Sequence, residues 1–210
     1  MMWEAARDSI LKNKSVIHMG LKAIKYSYNS TNKNWIVTAI DKNNLNKDIF
    51  ADIVICSAPM RDVGNSIDPE IKCLNDVKKL NYRDYITVAV LIDHKKIIDD
   101  NWIYIHEKKI KAGRIQNYTA WSSLMAPNEN KSCLGLEYFC NKDDNFWNST
   151  DQELKQTALK DIKLLNIINT DKIIDFFVVR QEKAYPVYDD KYKEIVKKFA
   201  SEIESNYKNF

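Results

Sequence analysis

The spacing of apolar residues along the chain predicts three amphipathic helices. Apolar positions recur at helical intervals over residues 3–12, 151–165 and 190–206. The second segment follows Thr150, and Glu153 stands three residues later, which is the spacing of a capping box. We therefore expect the helix over residues 151–165 to begin at a well-defined position.

Alternating and continuous apolar runs predict the strands. The run 85–92 is apolar on both faces, which is typical of a strand inside a sheet. The run 53–56 is predicted to be a buried strand that ends at Ser57, Ala58 and Pro59, because proline cannot continue a central strand. Strands are predicted over residues 16–18, 23–28, 35–40, 53–56, 85–92, 102–106, 133–140 and 174–182.

These elements predict an α+β fold. Strands and helices are mixed without a regular strand–helix–strand alternation, which favours a mixed, largely antiparallel sheet with flanking helices. Asp68 and Pro69 are predicted to start a further helix over residues 71–80, with proline at its first position. The strongest boundary is expected over residues 57–68, where the predicted buried strand ends and a loop begins.

Composition and charge exclude several classes of function. The 210 residues are 45% hydrophobic, which is enough to bury a substantial core. The 32 basic residues are nearly matched by 29 acidic ones, and lysine is spread along the chain, so we expect no nucleic-acid partner. No apolar run is long enough to span a membrane, and the N-terminal segment does not resemble a secretory signal. We therefore expect a cytoplasmic protein.

Cysteine, histidine and glycine usage argues against two kinds of site. The four cysteines form no CxxC pair and the three histidines are isolated, so we expect buried free thiols rather than a metal site or disulfides. A phosphate-binding loop needs clustered glycines that let the backbone approach the ligand. The four glycines are far apart, so no nucleotide-phosphate loop is predicted in this chain.

Residues 101–123 are the first candidate for ligand-binding chemistry. The segment holds two tryptophans and two tyrosines together with Arg114, Gln116 and Asn117. Aromatic rings stack on other rings or on sugars, and amide and guanidinium groups orient a polar ligand. The alternative is a hydrophobic sheet face with polar residues at its edge. The residues alone leave both interpretations open.

Glu137 and Arg180 are further candidates, because each stands beside apolar residues in a predicted strand. Glu137 is either exposed on a solvent face, or buried and paired with Arg114 or Arg180. The planar guanidinium of Arg180 suits a carboxylate or a phosphate. Tyr185 begins the run Tyr-Pro-Val-Tyr, which is either the lip of a pocket or a well-packed turn.

Six segments, taken in order, resemble a known family. They are MMWE, IFADIVICSAPM, LNYRDYITVAVLI, NWIYIHEKKIKAGRIQNYTAWS, LGLEYFC and VVRQEKAYPVYDDKY. Together they resemble the middle of the FAD-dependent amine oxidoreductase superfamily. The resemblance extends over nearly the whole chain and is closest to the protoporphyrinogen-oxidase-like branch, which is related to UDP-galactopyranose mutase.

The resemblance implies a two-domain arrangement. It places residues 1–59 in a partial FAD-binding domain, residues 60–185 in a substrate-binding domain, and residues 186–210 in a helix that returns toward the FAD domain. The cofactor-binding residues that it implies are Gly20 and Leu21, beside the adenine part of FAD, and Ser57, Ala58 and Pro59. The substrate-binding residues that it implies are Arg114, Gln116, Asn117, Trp121, Arg180 and Tyr185.

The chain departs from this family in two places. The opening GxGxxG turn and the closing Gly-Arg flavin segment of the family are both missing. We therefore expect an internal fragment of a longer flavoprotein, with the missing FAD-domain portions as separate partner chains. The parent would transfer hydride from a small or sugar-containing substrate to FAD. This chain alone is not expected to hold FAD tightly or to be active, and no catalytic residue is predicted.

Other functions stay open at this point. A relative of UDP-galactopyranose mutase would act on a nucleotide sugar in polysaccharide biosynthesis, without net redox change. A non-catalytic binding module would keep the scaffold, and a truncated remnant would have no function. In each case the strand predicted over residues 53–56 would have an unpaired edge, which predicts aggregation or a partner chain.

Overall fold

The chain forms two compact units, each with its own β-sheet. The computed structural model describes residues 2–95 and 97–210. The first unit comprises Met1–Leu80 and Tyr188–Phe210, and the second comprises Asn81–Val187. One sheet is mixed, the other is antiparallel, and helices accompany both. The predicted α+β class is therefore confirmed.

Most helices and strands occur where the apolar pattern predicts them. The helices are α1 Met2–Lys12, α2 Met60–Gly64, α3 Leu74–Val77, α4 Tyr118–Trp121, α5 Asp151–Leu165 and α6 Tyr192–Asn206. The strands are β1 Lys22–Asn29, β2 Asn34–Ile40, β3 Asn46–Ala51, β4 Ile67–Asp68, β5 Tyr82–Ile92, β6 Trp102–Tyr104, β7 Arg114–Asn117, β8 Ser132–Cys140 and β9 Ile173–Pro186. None of the helices formed by residues 2–95 and 97–210 combines the length and apolar character that crossing a bilayer requires.

The first unit is organised around a buried tryptophan. Its sheet has the order β3-β2-β1-β4, with β4 parallel to β1 and the other pairs antiparallel. Trp35 on β2 is fully buried and donates its Nε1–H to the Lys208 carbonyl at 2.9 Å. The rings of Tyr207 and Phe210 lie 6.2 and 4.9 Å from the Trp35 ring. The C-terminal residues therefore belong to the same core as β1 and β2.

The first unit extends to Leu80 and so includes α2 and α3. Val77 and Leu80 are buried in the same hydrophobic cluster as Trp35, and α6 contributes Phe199 to it. Burial of these side chains holds α2 and α3 in the first unit, because apolar area removed from water is the main stabilising contribution.

Two predicted strands are wrong. Residues 16–18 and 53–56 are not strands in the structure. In the second of these segments, Val54 donates its N–H to the Asn209 carbonyl at 2.9 Å, and Ile55 is 96% exposed instead of buried. An apolar run becomes a buried strand only where a neighbouring strand pairs with its backbone. Among the described residues, no strand pairs with this segment.

The predicted helix over residues 71–80 is shorter in the structure, because α3 covers only four residues. The carboxylate of Glu202 on α6 accepts hydrogen bonds from the backbone N–H groups of Lys72 at 2.5 Å and of Cys73 at 2.9 Å. These two N–H groups lie immediately before α3. A contact between residues so far apart along the chain cannot be inferred from local spacing.

The second unit contains an antiparallel five-stranded sheet. Its strand order is β6-β7-β8-β5-β9, which confirms the predicted internal position of β5. One face of the sheet packs against α5 through Leu154, Ala158 and Ile162, which are all fully buried. Side chains alternate between the two faces along each strand. Every second residue is therefore directed away from α5.

The capping box predicted for α5 is present. Thr150 Oγ1 accepts a hydrogen bond from the Glu153 N–H at 3.3 Å, and the Glu153 carboxylate accepts one from the Thr150 N–H at 2.7 Å. Further along α5, the buried carboxylate of Asp161 accepts hydrogen bonds from the Ala112 N–H at 3.0 Å and the Tyr138 hydroxyl at 3.1 Å. These bonds fix the chain just before β7.

Candidate functional site

The face of the second sheet directed away from α5 carries an ion pair and a group of aromatic rings. Arg114 on β7 lies directly opposite Glu137 on β8, and Glu137 lies opposite Thr87 on β5. Residues that pair directly across strands present their side chains on the same face. The rings grouped with Arg114 define what we call the aromatic face: Trp102, Tyr104, Trp121, Phe139 and Tyr185.

Arg114 and Glu137 form a buried ion pair. The Arg114 Nε–H donates to Glu137 Oε2 at 2.6 Å, and Nη2 lies 2.5 Å from the same oxygen. Only 4% of the Glu137 side chain and 11% of the Arg114 side chain are exposed. A buried carboxylate is stable only when it is paired and hydrogen-bonded. The structure therefore decides the open alternatives for Glu137 in favour of a buried residue paired with Arg114.

Two tyrosine hydroxyls complete the surroundings of the Arg114 guanidinium. Nη2 donates to the Tyr185 hydroxyl at 3.1 Å, and Nη1 donates to the Tyr104 hydroxyl at 3.4 Å. Burial alone would lower the pKa of Arg114, but the hydrogen bonds to Tyr185, Tyr104 and Glu137 outweigh burial and raise that pKa. Arg114 is therefore a fixed cation whose charge is compensated by Glu137.

Aromatic rings surround this ion pair. The Arg114 Cζ lies 5.8 Å from the ring centroid of Trp102 and 5.7 Å from those of Tyr104 and Phe139. A cation is attracted to the electron-rich face of a ring at distances up to about 6 Å. Trp102 is 47% exposed and Tyr104 is 56% exposed. The rings thus contact the guanidinium while part of their surface stays open to a ligand.

Gln116 and Trp121 extend the aromatic face beyond Trp102. The Trp121 Nε1–H donates to Gln116 Oε1 at 3.1 Å. The Trp121 ring lies 5.5 Å from the Trp102 ring, and half of Trp121 is exposed. The pair therefore offers an indole surface next to a polar amide, which is a combination that can stack on a ring and orient its substituents.

Gly135 on β8 allows α4, which carries Trp121, to approach the sheet closely. A Cβ atom at position 135 would lie 2.7 Å from the Tyr118 hydroxyl and 2.8 Å from Tyr118 Cε2. The Tyr118 ring therefore lies against the bare backbone of Gly135. Burial and, to a smaller extent, the charge of Glu137 raise the pKa of Tyr118 to about 12. The tyrosine stays protonated and serves to position α4.

Asn117 does not share the aromatic face. It follows Gln116 along β7, so its side chain is directed to the opposite side of the sheet, where it is buried. Its amide donates to the Ile98 carbonyl at 2.9 Å and accepts from the Ala120 N–H at 3.3 Å, which makes it the N-cap of α4. Its contacts within the second unit are those of a structural residue.

Arg180 also lies on the side of the sheet that packs against α5. It pairs with Asp151 at 2.7 Å and donates to the carbonyls of Trp147 at 3.2 Å and Ser149 at 2.6 Å. These contacts bind β9 to the chain that leads into α5. Of the six predicted substrate-side residues, the structure brings together Arg114, Gln116, Trp121 and Tyr185, and it places Asn117 and Arg180 elsewhere.

Three members of the aromatic face, Trp102, Tyr104 and Phe139, are not among the residues predicted for the site. Tyr104 pairs directly with Arg114 across β6 and β7, and Phe139 lies two residues beyond Glu137 on β8. Alternation would have placed both on the side of Arg114 once Arg114 and Glu137 were taken as opposite residues. The missing information was the strand register, since the partner of Glu137 was left open between two arginines.

In the first unit, Ser57 and Ala58 line an open cleft of about 440 Å³ beside the β1–β3 strands. The other lining residues come from these strands and the segment that follows them: Ala23, Tyr26, Val37, Ile49, Ala51, Ile53, Val54, Ile55 and Cys56. Gly20 has a φ of +71° in the turn before Leu21 and β1, and Pro59 directly precedes α2. Gly20, Leu21 and Pro59 are not among the residues that line this cleft.

Comparison with known proteins identifies structural relatives only. No protein-family model and no curated protein sequence matches the chain. A crystal structure of reduced UDP-galactopyranose mutase superposes on 97% of this chain with a TM-score of 0.76 and 16% identity. A protoporphyrinogen-oxidase-like protein from Exiguobacterium sp. 255-15 superposes on 98% with a TM-score of 0.72 and 14% identity. A variant of putrescine oxidase superposes on 75% with a TM-score of 0.51 and 12% identity.

These similarities establish a shared fold. The resemblance predicted from the sequence is confirmed at this level, because UDP-galactopyranose mutase and a protoporphyrinogen-oxidase-like protein are both among the structures that share it. The chain spans 43%, 44% and 33% of the length of the three proteins, and thus less than half of each.

Proposed function

We propose that this chain is part of an FAD-dependent oxidoreductase of the amine-oxidase and protoporphyrinogen-oxidase type, which acts on a small or sugar-containing molecule. The observation that supports this most is the fold shared over 98% of the chain with a protoporphyrinogen-oxidase-like protein, with a TM-score of 0.72. In this proposal the first unit contributes to the FAD-binding domain, and the second unit is the substrate domain. The aromatic face is its substrate-binding surface.

The cleft of the first unit fits one part of FAD. Its lining is apolar apart from Tyr26, Cys56 and Ser57, and no lysine or arginine among the described residues lines it. Such a cleft suits an uncharged ring but offers no cation for the diphosphate. Tight binding of the whole cofactor therefore needs groups from further polypeptide, which we propose to be FAD-domain portions supplied as partner chains. The exposed Ile55 is a surface where such a chain would pair.

The residues of the second unit would bind and orient the substrate. FAD, when bound, supplies the chemistry by accepting a hydride from the substrate. Trp102 and Trp121 offer ring surfaces, and Gln116 offers an amide beside them. Arg114 stays charged and fixed by Glu137, so it holds Tyr104 and Tyr185 at the rim of the surface.

A mutase-like enzyme is the second candidate. The fold shared with UDP-galactopyranose mutase, with a TM-score of 0.76, supports it. Its substrate would be a nucleotide sugar used in polysaccharide biosynthesis, and the product would have the same oxidation state as the substrate. Net reduction of an electron acceptor during turnover therefore distinguishes the oxidoreductase from the mutase.

A cytoplasmic location forms part of the proposal. All four cysteines are free thiols, namely Cys56, Cys73, Cys133 and Cys140. Free thiols are usual in reducing compartments, whereas secreted domains commonly convert them to disulfides.

Flavin titration tests the proposed cofactor site. FAD is added to the purified chain, and the visible spectrum is followed to saturation. We expect a saturable shift of the flavin band that is lost after gel filtration, because the cleft holds only an uncharged ring. Replacement of Ala58 by Trp fills the cleft and should abolish the shift.

The matched control for this titration is Phe50→Trp. Phe50 lies on β3 between Ile49 and Ala51, which both line the cleft, but its own side chain is 74% exposed on the other side of the strand. This variant should keep the flavin shift of the wild type. A spectrum that shows no saturable change, or equal behaviour of the two variants, would contradict the proposed cofactor site.

A further inference from the structure

Every nitrogen of the Arg114 guanidinium contacts at least one partner within the second unit. Its Nε and Nη2 contact Glu137, Nη2 also donates to Tyr185, and Nη1 donates to Tyr104. An arginine binds a phosphate or carboxylate by presenting two parallel N–H donors. Glu137 occupies the fork formed by Nε and Nη2, and the Tyr104 and Tyr185 hydroxyls occupy the fork formed by Nη1 and Nη2. A phosphate could take the second fork only by displacing both hydroxyls from a cation that Glu137 already compensates, and the first fork only by releasing Glu137. The released carboxylate would then stay buried without a partner, which is strongly unfavourable.

The aromatic face offers ring surfaces in place of a free charge. Trp102, Tyr104, Trp121, Phe139 and Tyr185 are all between 42% and 56% exposed around the ion pair. Side chains on β9 continue the apolar surface, because Phe177 and Val179 are 54% and 56% exposed. Val179 lies opposite Thr87, which lies opposite Glu137, so it shares their side of the sheet.

We propose that the aromatic face recognises its ligand through an uncharged ring, either the apolar face of a sugar or an aromatic ring. Arg114 is then a positioning residue that holds Tyr104 and Tyr185, and it is not an anchor for an anion. This inference rests on the proposed function, because it assigns the substrate class of the same surface. A diphosphate, if the substrate carries one, is bound by other groups.

Two probes that share one aryl ring test this directly. p-Nitrophenyl β-D-glucopyranoside is uncharged, and p-nitrophenyl phosphate carries a phosphate on the same ring. Equilibrium dialysis of the wild-type protein against each probe, read by absorbance, gives both dissociation constants. We expect the glucoside to bind at least about tenfold more tightly, because the phosphate must be desolvated beside an arginine whose charge Glu137 already compensates. This comparison does not depend on the stability of any variant.

Replacing Glu137 by Gln provides a second test, which compares the binding of the two probes to the variant. Its expected result would not arise if the ion pair only stabilised the fold. The variant leaves the positive charge of Arg114 uncompensated next to the same rings. The preference should therefore invert, so that p-nitrophenyl phosphate binds more tightly than the glucoside. Circular dichroism establishes that the variant is folded before it is measured. A folded Glu137→Gln protein that still prefers the glucoside would overturn the role assigned to Arg114.

A tryptophan pair supplies the control for stacking. Trp102→Ala removes a ring of the aromatic face and should weaken glucoside binding about tenfold. Trp3→Ala removes an exposed tryptophan from α1, which buries none of its side chains, and should leave glucoside binding unchanged. Equal effects of the two substitutions would show that the probe does not bind at the aromatic face, and would overturn the proposal.

The other possible results of the binding experiments also support or overturn the proposal. Tighter binding of p-nitrophenyl phosphate to the wild type overturns the proposal, and so does the absence of binding by both probes. If the phosphate is preferred, Arg83→Ala tests whether Arg83 binds it, because Arg83 is exposed and lies opposite Tyr185. The flavin titration reports on the first unit independently. A protein that shows the flavin shift but prefers the phosphate contradicts only the substrate class, not the proposed function.

Discussion

Glu137→Gln should destabilise the second unit far more than removal of a carboxylate at its surface. The substitution keeps the size of the side chain and removes the negative charge that faces the Arg114 guanidinium at 2.5 Å. Arg114 is then left largely buried with only the Tyr185 and Tyr104 hydroxyls and a neutral amide as partners. The question is how much of the cost of burying its charge these groups can offset.

The structure sets the magnitude of this effect. Removing one member of a buried pair typically costs about 3–5 kcal/mol, because the remaining charge stays desolvated. The hydroxyl partners and the 11% exposure of the Arg114 side chain reduce that cost, so we expect about 3 kcal/mol. An exposed ion pair contributes only about 0–1 kcal/mol. Glu182 and Lys142 form such a pair, with 48% and 61% of their side chains exposed.

Urea denaturation of the wild type, Glu137→Gln and the matched control Glu182→Gln measures these free energies of unfolding. The control should lose less than about 1 kcal/mol. The double variant Arg114→Met/Glu137→Leu removes both charges and should recover most of the loss, because apolar residues of similar volume can replace a buried pair. Equal losses for the two glutamate variants, or a double variant as unstable as Glu137→Gln, would refute the electrostatic reasoning.

Three further predictions concern other contacts. Thr150→Ala removes one arm of the α5 capping box and should lower the free energy of unfolding by about 1 kcal/mol in urea titrations. Gly135→Ala brings a Cβ to 2.7 Å from the Tyr118 hydroxyl and should cost about 1–3 kcal/mol, whereas Gly135→Ala combined with Tyr118→Leu should recover part of this loss. Burial favours the protonated form of Glu202, but hydrogen bonds from Lys72 and Cys73 outweigh it and lower the pKa of that carboxyl below its ordinary value of 4.5. The stabilisation by the ionised Glu202 carboxylate is therefore complete above pH 4.5, and it is lost as the pH falls through the lower pKa of the folded state. Glu202→Gln should be less stable than the wild type near neutral pH, and the two free energies of unfolding should converge in acid.

Local pattern was sufficient where an element is specified by its own residues. The strand β5 is apolar on both faces and is internal in its sheet, and α5 begins at the Thr150 capping box as predicted. Local pattern fails where the structure of a segment depends on a residue far away in the sequence. Residues 53–56 have the composition of a buried strand, but no strand pairs with them among the described residues. The start of α3 depends on Glu202, which no local rule connects to it.

The candidate site shows the same division between local and distant information. The segment that contains Arg114, Gln116 and Trp121 was identified from its composition, and these residues do lie together. Asn117 was included with them although a strand directs consecutive side chains to opposite faces. The apolar neighbours of Arg180 predict a covered stem, and the family resemblance alone places it on the substrate side. Only the strand register shows that Arg114, and not Arg180, lies opposite Glu137.

The distribution of burial on the aromatic face argues against a purely structural role. Folding ordinarily buries large rings and leaves charges in water. Here Glu137 and Arg114 are buried, whereas Trp102 and Trp121 are about half exposed around them. A group of five exposed rings marks a surface that contacts a ligand or another polypeptide, because covering it within this chain would stabilise the fold. Exposed rings around a compensated cation are what the proposed stacking surface requires, because they offer ring faces without a net charge.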